Sequence, residues 1–245
     1  MKRATILSCL CILAIWASAQ GPVALTVGVN RASVSPNFLS YPDTALNTGG
    51  AKAGFTFGFV ANIPIENGLH FHTGVLYSNK GSDWTQVFDT LHLAESKKEQ
   101  LLSTNTVVNV NYIEIPLNLM YKSPARGKTR FIMGAGPQLS MLYTGNSRTN
   151  TMYVSQETTD TEVEYRYVQQ SVEDLPIGHL PGRYRIVHVT ANTFAGFEFG
   201  RVFFTANYSV GLNAFYQEED RYYRHQSVGA RMGIYMGKRT AATRK

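Results

Sequence analysis

Apolar residues recur at every second position in eight separate stretches of this chain, and the residues between them are mostly small and uncharged. A period of two marks a strand with two unlike faces. Phe55, Phe57 and Phe59 alternate with Gly54, Thr56 and Gly58, and Leu69, Phe71, Val75 and Tyr77 with His70, His72, Gly74 and Ser78. Ile113–Tyr121 opposes Tyr112, Glu114, Pro116 and Asn118, and Phe131–Tyr143 opposes Gly134, Gly136, Gln138 and Ser140. Val187, Val189, Ala191, Phe197 and Phe199 face away from His188, Thr190, Asn192, Gly196 and Glu198. Val23–Val29, Val202–Leu212 and Val228–Met236 complete the set.

Eight such strands close either a soluble barrel with the apolar face inward or a membrane barrel with it outward. The second face decides between them. A soluble barrel would show that face to water and cover it with Lys, Glu and Arg. Here it carries Gly, Thr, Ser and Asn, which suit a narrow eight-stranded interior. The apolar stripes hold no charge, as contact with hydrocarbon demands.

Composition agrees. Only 16% of the residues are charged, against roughly 25% in soluble domains, while 21 glycines, 14 tyrosines and 13 phenylalanines favour strand over helix. A mean hydropathy of −0.16 excludes a polytopic helical membrane protein.

Connection lengths orient the barrel. Pro64–Asn67, Ser123–Lys128 and Gly200-Arg201 are short, whereas Ala32–Gly50, Gly81–Asn105, Gly145–Tyr184 and Gln217–Arg224 are long and polar. Strict alternation puts the long segments at one end, as in outer-membrane barrels. The expected fold is all-β, an eight-stranded antiparallel up-and-down transmembrane β-barrel with short periplasmic turns and long external loops. Its strands are expected near 23–30, 52–63, 69–79, 107–122, 129–143, 185–199, 202–215 and 226–237. Tyr153-Val154 and Val163–Val168 alternate as a hairpin reaching beyond the membrane.

The first 19 residues read as a signal peptide: basic Lys2-Arg3, an apolar run from Ile6 to Ala17, and the Ala17-Ser18-Ala19 cleavage pattern. Cys9 and Cys11 fall inside it, so residues 20–237 form a cysteine-free barrel with no disulfide and no thiolate metal site. Residues 238–245 form a basic tail. Removing Lys2 and Arg3 takes 23 basic residues to 21, and removing Lys238, Arg239, Arg244 and Lys245 leaves 17 against 17 acidic. The folded part is neutral overall and the excess positive charge sits in a tail, not on the folded face that a nucleic-acid binder uses, so no nucleic-acid partner is expected.

Tyr112-Ile113-Glu114-Ile115-Pro116-Leu117, followed by Gly134-Ala135-Gly136-Pro137, resembles the PorT-like outer-membrane β-barrel family of the Bacteroidota. Gly196-Phe197-Glu198-Phe199 and Val228-Gly229-Ala230-Arg231 are similar to that family's later strands. The resemblance covers about residues 20–237. It implies an outer-membrane barrel, and the founding member is implicated in type IX protein secretion.

The inward face carries the candidate chemical groups. His70 and His72 share the inward face and His188 is inward too, but spacing fixes neither their nitrogen geometry nor a third ligand beside the pair, and zinc takes three or four. Ser78 and Ser140 are inward, but a hydrolase also needs a histidine and an acid in register with one of them. No cofactor or metal is therefore expected. Glu114, Glu198 and Arg231 are the inward charges, and buried charges need partners. They are expected to form a lumen network in which Arg231 bonds Glu114 or Glu198. Tyr77, Trp84, Tyr121, Tyr143, Tyr208 and Tyr216 are expected in interfacial belts. The functional expectation is a non-enzymatic, monomeric barrel with a structural or interaction role, set against a narrow pore or a rim hydrolase. Its expected partners are outer-membrane lipid, lipopolysaccharide and a protein reached through the external loops.

Overall fold

Among the described residues, ten strands run antiparallel in chain order: β1 (Val23–Ser35), β2 (Leu46–Glu66), β3 (Leu69–Val87), β4 (Glu99–Lys122), β5 (Thr129–Thr158), β6 (Glu162–Asp174), β7 (Val187–Phe199), β8 (Val202–Gly211), β9 (Tyr216–Glu218) and β10 (Arg221–Met236). The computed structural model describes residues 23–35, 46–87, 99–158, 162–178, 180, 182–218 and 221–236. The expected signal peptide (1–19) and basic tail (238–245) lie outside them.

Eight of these strands form a closed ring in the order β1-β2-β3-β4-β5-β7-β8-β10, sealed where β10 pairs back onto β1 from Val23↔Met236 to Ser35↔Arg224. Closure leaves no sheet edge in the ring, the only way a sheet can cross lipid with its backbone satisfied. Turns 67–68, 123–128 and 200–201 share one end with Val23 and Met236. Asn67 and Gly68 both have positive φ (48° and 84°), as a type I′ turn demands. At Gly200-Arg201 only the glycine does (62°), as a II′ turn with glycine first requires.

The faces are as the alternation requires. Phe55, Phe57, Phe59, Met133, Phe197, Phe204, Met232 and Ile234 point outward and are each about half exposed. They make an aromatic-rich band in which Phe57 packs on Tyr77 at 5.1 Å and Phe131 on Phe197 at 5.6 Å. The inward face is buried and small, and glycine makes room for the few large side chains. A Cβ at Gly233 would lie 2.4 Å from the Phe203 ring. With Ala24, Val60, Leu76, Ile132 and Tyr235, Phe203 fills the lumen near the short-turn end.

Several strands are longer than alternation suggested. β3 continues to Val87, β4 begins at Glu99 and β5 runs to Thr158, through segments expected to be loops. Past the apolar band a strand no longer needs apolar residues, but its backbone groups still need partners. Polar cross-strand pairs take over: Asn105 Nδ2 donates to Asp83 Oδ1 and Thr85 Oγ1, both at 2.9 Å, and Asn109 Nδ2 to Asn146 Oδ1 at 3.0 Å. Above Met141↔Val187 and the bulge opposite Asn111/Tyr112, β5 exchanges β7 for β6. The upper parts of β2, β3, β4 and β5, with β6, thus rise above the ring as a five-stranded wall. The β5–β6 hairpin is the one expected from Tyr153-Val154 and Val163–Val168.

Candidate functional site: a closed lumen

The two inward glutamates are ion-paired, but not in the expected way. Glu114 on β4 accepts from Lys80 Nζ of neighbouring β3 at 2.5 Å, and from Ser140 Oγ of β5 at 3.4 Å. Glu198 on β7 accepts from Lys122 Nζ of β4 at 2.7 Å. All four side chains are almost completely buried. Arg231 instead donates from Nε to Asn207 Oδ1 of adjacent β8 at 3.4 Å, and no ion pair joins it to a glutamate among the described residues. The expected Arg231–glutamate bond is therefore corrected. Around the ring β10 lies diametrically opposite β4, whereas Lys80 stands on the strand next to Glu114. Lys80 thus takes Glu114 from the next strand, whereas Glu198 lies two strands from both Lys122 and Arg231 and is bonded by Lys122.

Both lysines were legible and overlooked. Lys80 continues the even, inward series of His72 and Ser78, and Lys122 that of Glu114 and Asn118. They lie just past the apolar stripes that drew attention.

A polar relay extends from the second pair. Lys122 Nζ also donates to Tyr235 Oη at 3.2 Å and sits 4.7 Å from that ring's centre. Asn62 Nδ2 donates to the same Oη at 2.7 Å, and Asn62 Oδ1 accepts from His72 Nδ1 at 2.6 Å. His70 turns away to the Gly68 carbonyl at 2.9 Å. The three histidines singled out by sequence thus serve separate partners. Among the described residues no group of three or more His, Cys, Asp or Glu side chains could hold a metal.

Ser140, His188 and Glu114 do come together. Ser140 is opposite Glu114 on one side and His188 on the other, all three inward. The order is wrong for nucleophilic catalysis: the serine hydroxyl donates to the carboxylate, and the Glu114 oxygen already holds Lys80. A triad needs the histidine between serine and acid. The row is also sealed, with Ser140 at 0% and His188 at 1% exposure. His188 packs edge-on against Tyr112 at 4.8 Å. Ser78, the other inward serine, bonds Thr56 Oγ1 at 3.1 Å.

The seal is a roof that sequence reading missed. Leu175, Tyr184, Phe215 and Tyr223 close over Val34, Val108, Val110, Tyr112 and Leu142, and Trp84, Ile177 and Tyr216 pack against them. Backbone bonds fix it: Arg185 N–H donates to Phe215 O at 2.8 Å, Phe215 N–H to Tyr223 O at 2.9 Å, and Leu175 N–H to Gly145 O at 3.0 Å. Phe215 stacks on the His225 ring at 3.8 Å. Trp84 and Tyr216 belong to this roof rather than to an interfacial belt, whereas Tyr121, Tyr143 and Tyr208 do face outward. Leu175, Ile177 and Tyr184 fall in a segment expected as polar loop, and Tyr223 in another, while Phe215 was expected at the end of a strand over 202–215 that stops at Gly211; their apolar positions contact one another across segments, without period.

Deeper down, a cavity of about 20 Å³ lies among Thr26, Asn62, His72, Thr205, Arg231 and Tyr235. That volume is room for about one water and too small for an organic ligand.

A sequence profile for the outer membrane protein beta-barrel domain matches residues 19–237. No curated protein matches the chain in sequence. Among solved structures, Ail, the attachment invasion locus protein of Yersinia pestis, is 9% identical with a TM-score of 0.36, over 89% of this chain and 99% of that one. The N-terminal β-barrel domain of Pseudomonas aeruginosa OprF is 11% identical with a TM-score of 0.26, over 85% and 97%. The family match and the closed ring carry the assignment without these distant likenesses. With its apolar band turned to lipid and the profile matched across almost its whole length, the chain resides in the outer membrane and belongs to the outer membrane protein β-barrel domain family.

Proposed function

We propose that the protein is a non-enzymatic, monomeric barrel whose lumen is structural and whose working surface is the external wall. The observation that carries this reading is the double closure of the lumen: two buried lysine–glutamate pairs beneath an aromatic roof. An eight-stranded barrel has room inside for side chains or one small ligand, and here side chains take it. A pore would need a continuous wet path, and a hydrolase an open nucleophile. The wall, by contrast, stands clear of lipid on polar strands.

Purified protein in a planar bilayer is expected to give no stable unitary conductance. Reproducible single-channel steps would replace this reading with the narrow pore, and turnover of lipid or peptide substrates that is lost in Ser140→Ala would replace it with the hydrolase.

The narrower reading rests on the resemblance to the PorT-like group and puts the barrel beside a protein-secretion machinery, with the wall as its contact. Cross-linking from wall positions in intact cells, followed by identification of the neighbours, tests it. Recovery of lipopolysaccharide and lipid alone would count against it.

A further inference from the structure

β6 is unlike every strand of the ring. It pairs with β5 over thirteen consecutive residue pairs, Asn146↔Asp174 to Thr158↔Glu162, without a register shift. On its other side it pairs with no strand among the described residues. A straight edge of this kind, roughly 44 Å long at ~3.4 Å per residue, carries a row of N–H and C=O groups that face away from β5. Natural edges are usually blunted by proline, lysine, a bulge or shortness. This one has no proline, lysine or bulge. From Val168 to Asp174 the side chains are exposed, with Val168 and Val172 near 60%.

We infer that this edge is a docking site for an extended, basic segment of a partner protein, which adds a strand to the external wall. The inference rests on the proposal that the wall is the working surface. Backbone groups spaced along a strand edge are matched by another extended backbone. Charge then selects among such segments. The β6 sequence holds Glu162, Glu164, Glu173 and Asp174 against a single base, Arg166. Acids therefore mark both ends of the edge.

The same charges argue against a second copy. Two barrels in one membrane stand with the same polarity, so their β6 strands run the same way. A two-fold axis along the membrane normal then sets each acid level with its own counterpart, and like charges side by side destabilise strand pairing. The acids thus exclude the self-pairing that an unblunted edge invites and admit a basic strand, which is how specificity is built from repulsion as well as attraction.

The test uses the full chain in lipid nanodiscs and a synthetic peptide alternating lysine with valine or threonine. The peptide is expected to bind, and N-methylation along both of its edges is expected to weaken it at least tenfold. Hydrogen exchange should show new protection at every second amide of β6, those pointing away from β5. Glu173→Lys with Asp174→Lys, both exposed and outside the ring, should weaken the basic peptide and strengthen one with glutamate in place of lysine. Equal binding of the N-methylated peptide, or no alternating protection, overturns the inference. So does a nanodisc particle containing two barrels joined through β6. Bilayer recordings on the same preparation separate the two claims: a conducting barrel that binds the peptide refutes the closed lumen alone, and a silent one that ignores it refutes the docking edge alone.

Discussion

Lys122 and Glu198 meet at 2.7 Å although no ladder joins their strands, because β5 stands between them. Lys122 is opposite Ile132 on one flank of β5, and Glu198 is opposite Arg130 on the other. The pair therefore bridges three strands inside the lumen and ties β4 to β7 by side chains alone.

Breaking this bridge on one side is expected to be costly. Lys122→Met leaves a buried carboxylate, and Glu198→Gln a buried ammonium, each destabilising by about 3–5 kcal/mol. Replacing both with apolar residues should cost less than either single change, since no ion is stranded. Urea unfolding from lipid vesicles measures all three variants. A double variant as unstable as the sum of the singles would contradict the pairing.

Arg231 is the contrasting case. Its hydrogen bond to Asn207 is long, at 3.4 Å, and each carboxylate is ion-paired to a lysine instead. Arg231→Met is expected to cost only about 1 kcal/mol, the worth of an ordinary hydrogen bond. A loss as large as that for Lys122→Met, in the same unfolding experiment, would show that the guanidinium serves one of the glutamates after all.

Phe215 is the keystone of the roof, stacked on His225 and in contact with Tyr184 at 5.7 Å between ring centres. Phe215→Ala removes a side chain that is 2% exposed. The expected loss is about 3–5 kcal/mol of local stability. It should appear as faster amide exchange at Arg185 and Phe215, whose bonds hold the roof together, while amides of the membrane band keep their protection. Uniform acceleration throughout the barrel would mean that roof and ring unfold as one unit.

The ring was readable because lipid imposes a simple rule on it. Every outward residue of the band must be apolar, every inward one must fit a narrow bore, and the period of two shows both at once. Phe55, Phe57 and Phe59 announce their strand, and Gly200-Arg201 its turn. Where that rule lapses, so did the reading. β3 and β4 continue on Thr, Asn and Ser, whose pairing depends on a partner strand that local sequence does not reveal. The roof was hidden for a related reason: Leu175, Tyr184, Phe215 and Tyr223 converge from separate segments. Glu114 and Glu198 were found because a charge among small residues stands out. Their partners were missed because Lys80 and Lys122 lie at the polar margins of the strands, where a lysine attracts no notice.

Depth in the bilayer supplies the last prediction. Phe57 sits mid-stripe between Phe55 and Phe59, about half exposed on the lipid side, and stacks at 6.2 Å on Phe55. Tyr143 also points outward, at 65% exposure, but lies beside the bulge where β5 leaves the band for the wall. An arginine in the hydrocarbon must drag water or headgroups with it, so Phe57→Arg should destabilise by about 2–4 kcal/mol. Near the interface the guanidinium reaches headgroup phosphates at once, and Tyr143→Arg should cost only about 0–1 kcal/mol. Inward substitution of equal polarity gives the control: Thr56→Ser, buried in the lumen next to Phe57, keeps the hydroxyl that bonds Ser78 and should change little. Unfolding free energies of the three variants in the same vesicles decide the matter. If Phe57→Arg proved no worse than Tyr143→Arg, the Phe55–Phe57–Phe59 stripe would not lie against the hydrocarbon, and the placement of the membrane on the barrel would have to move.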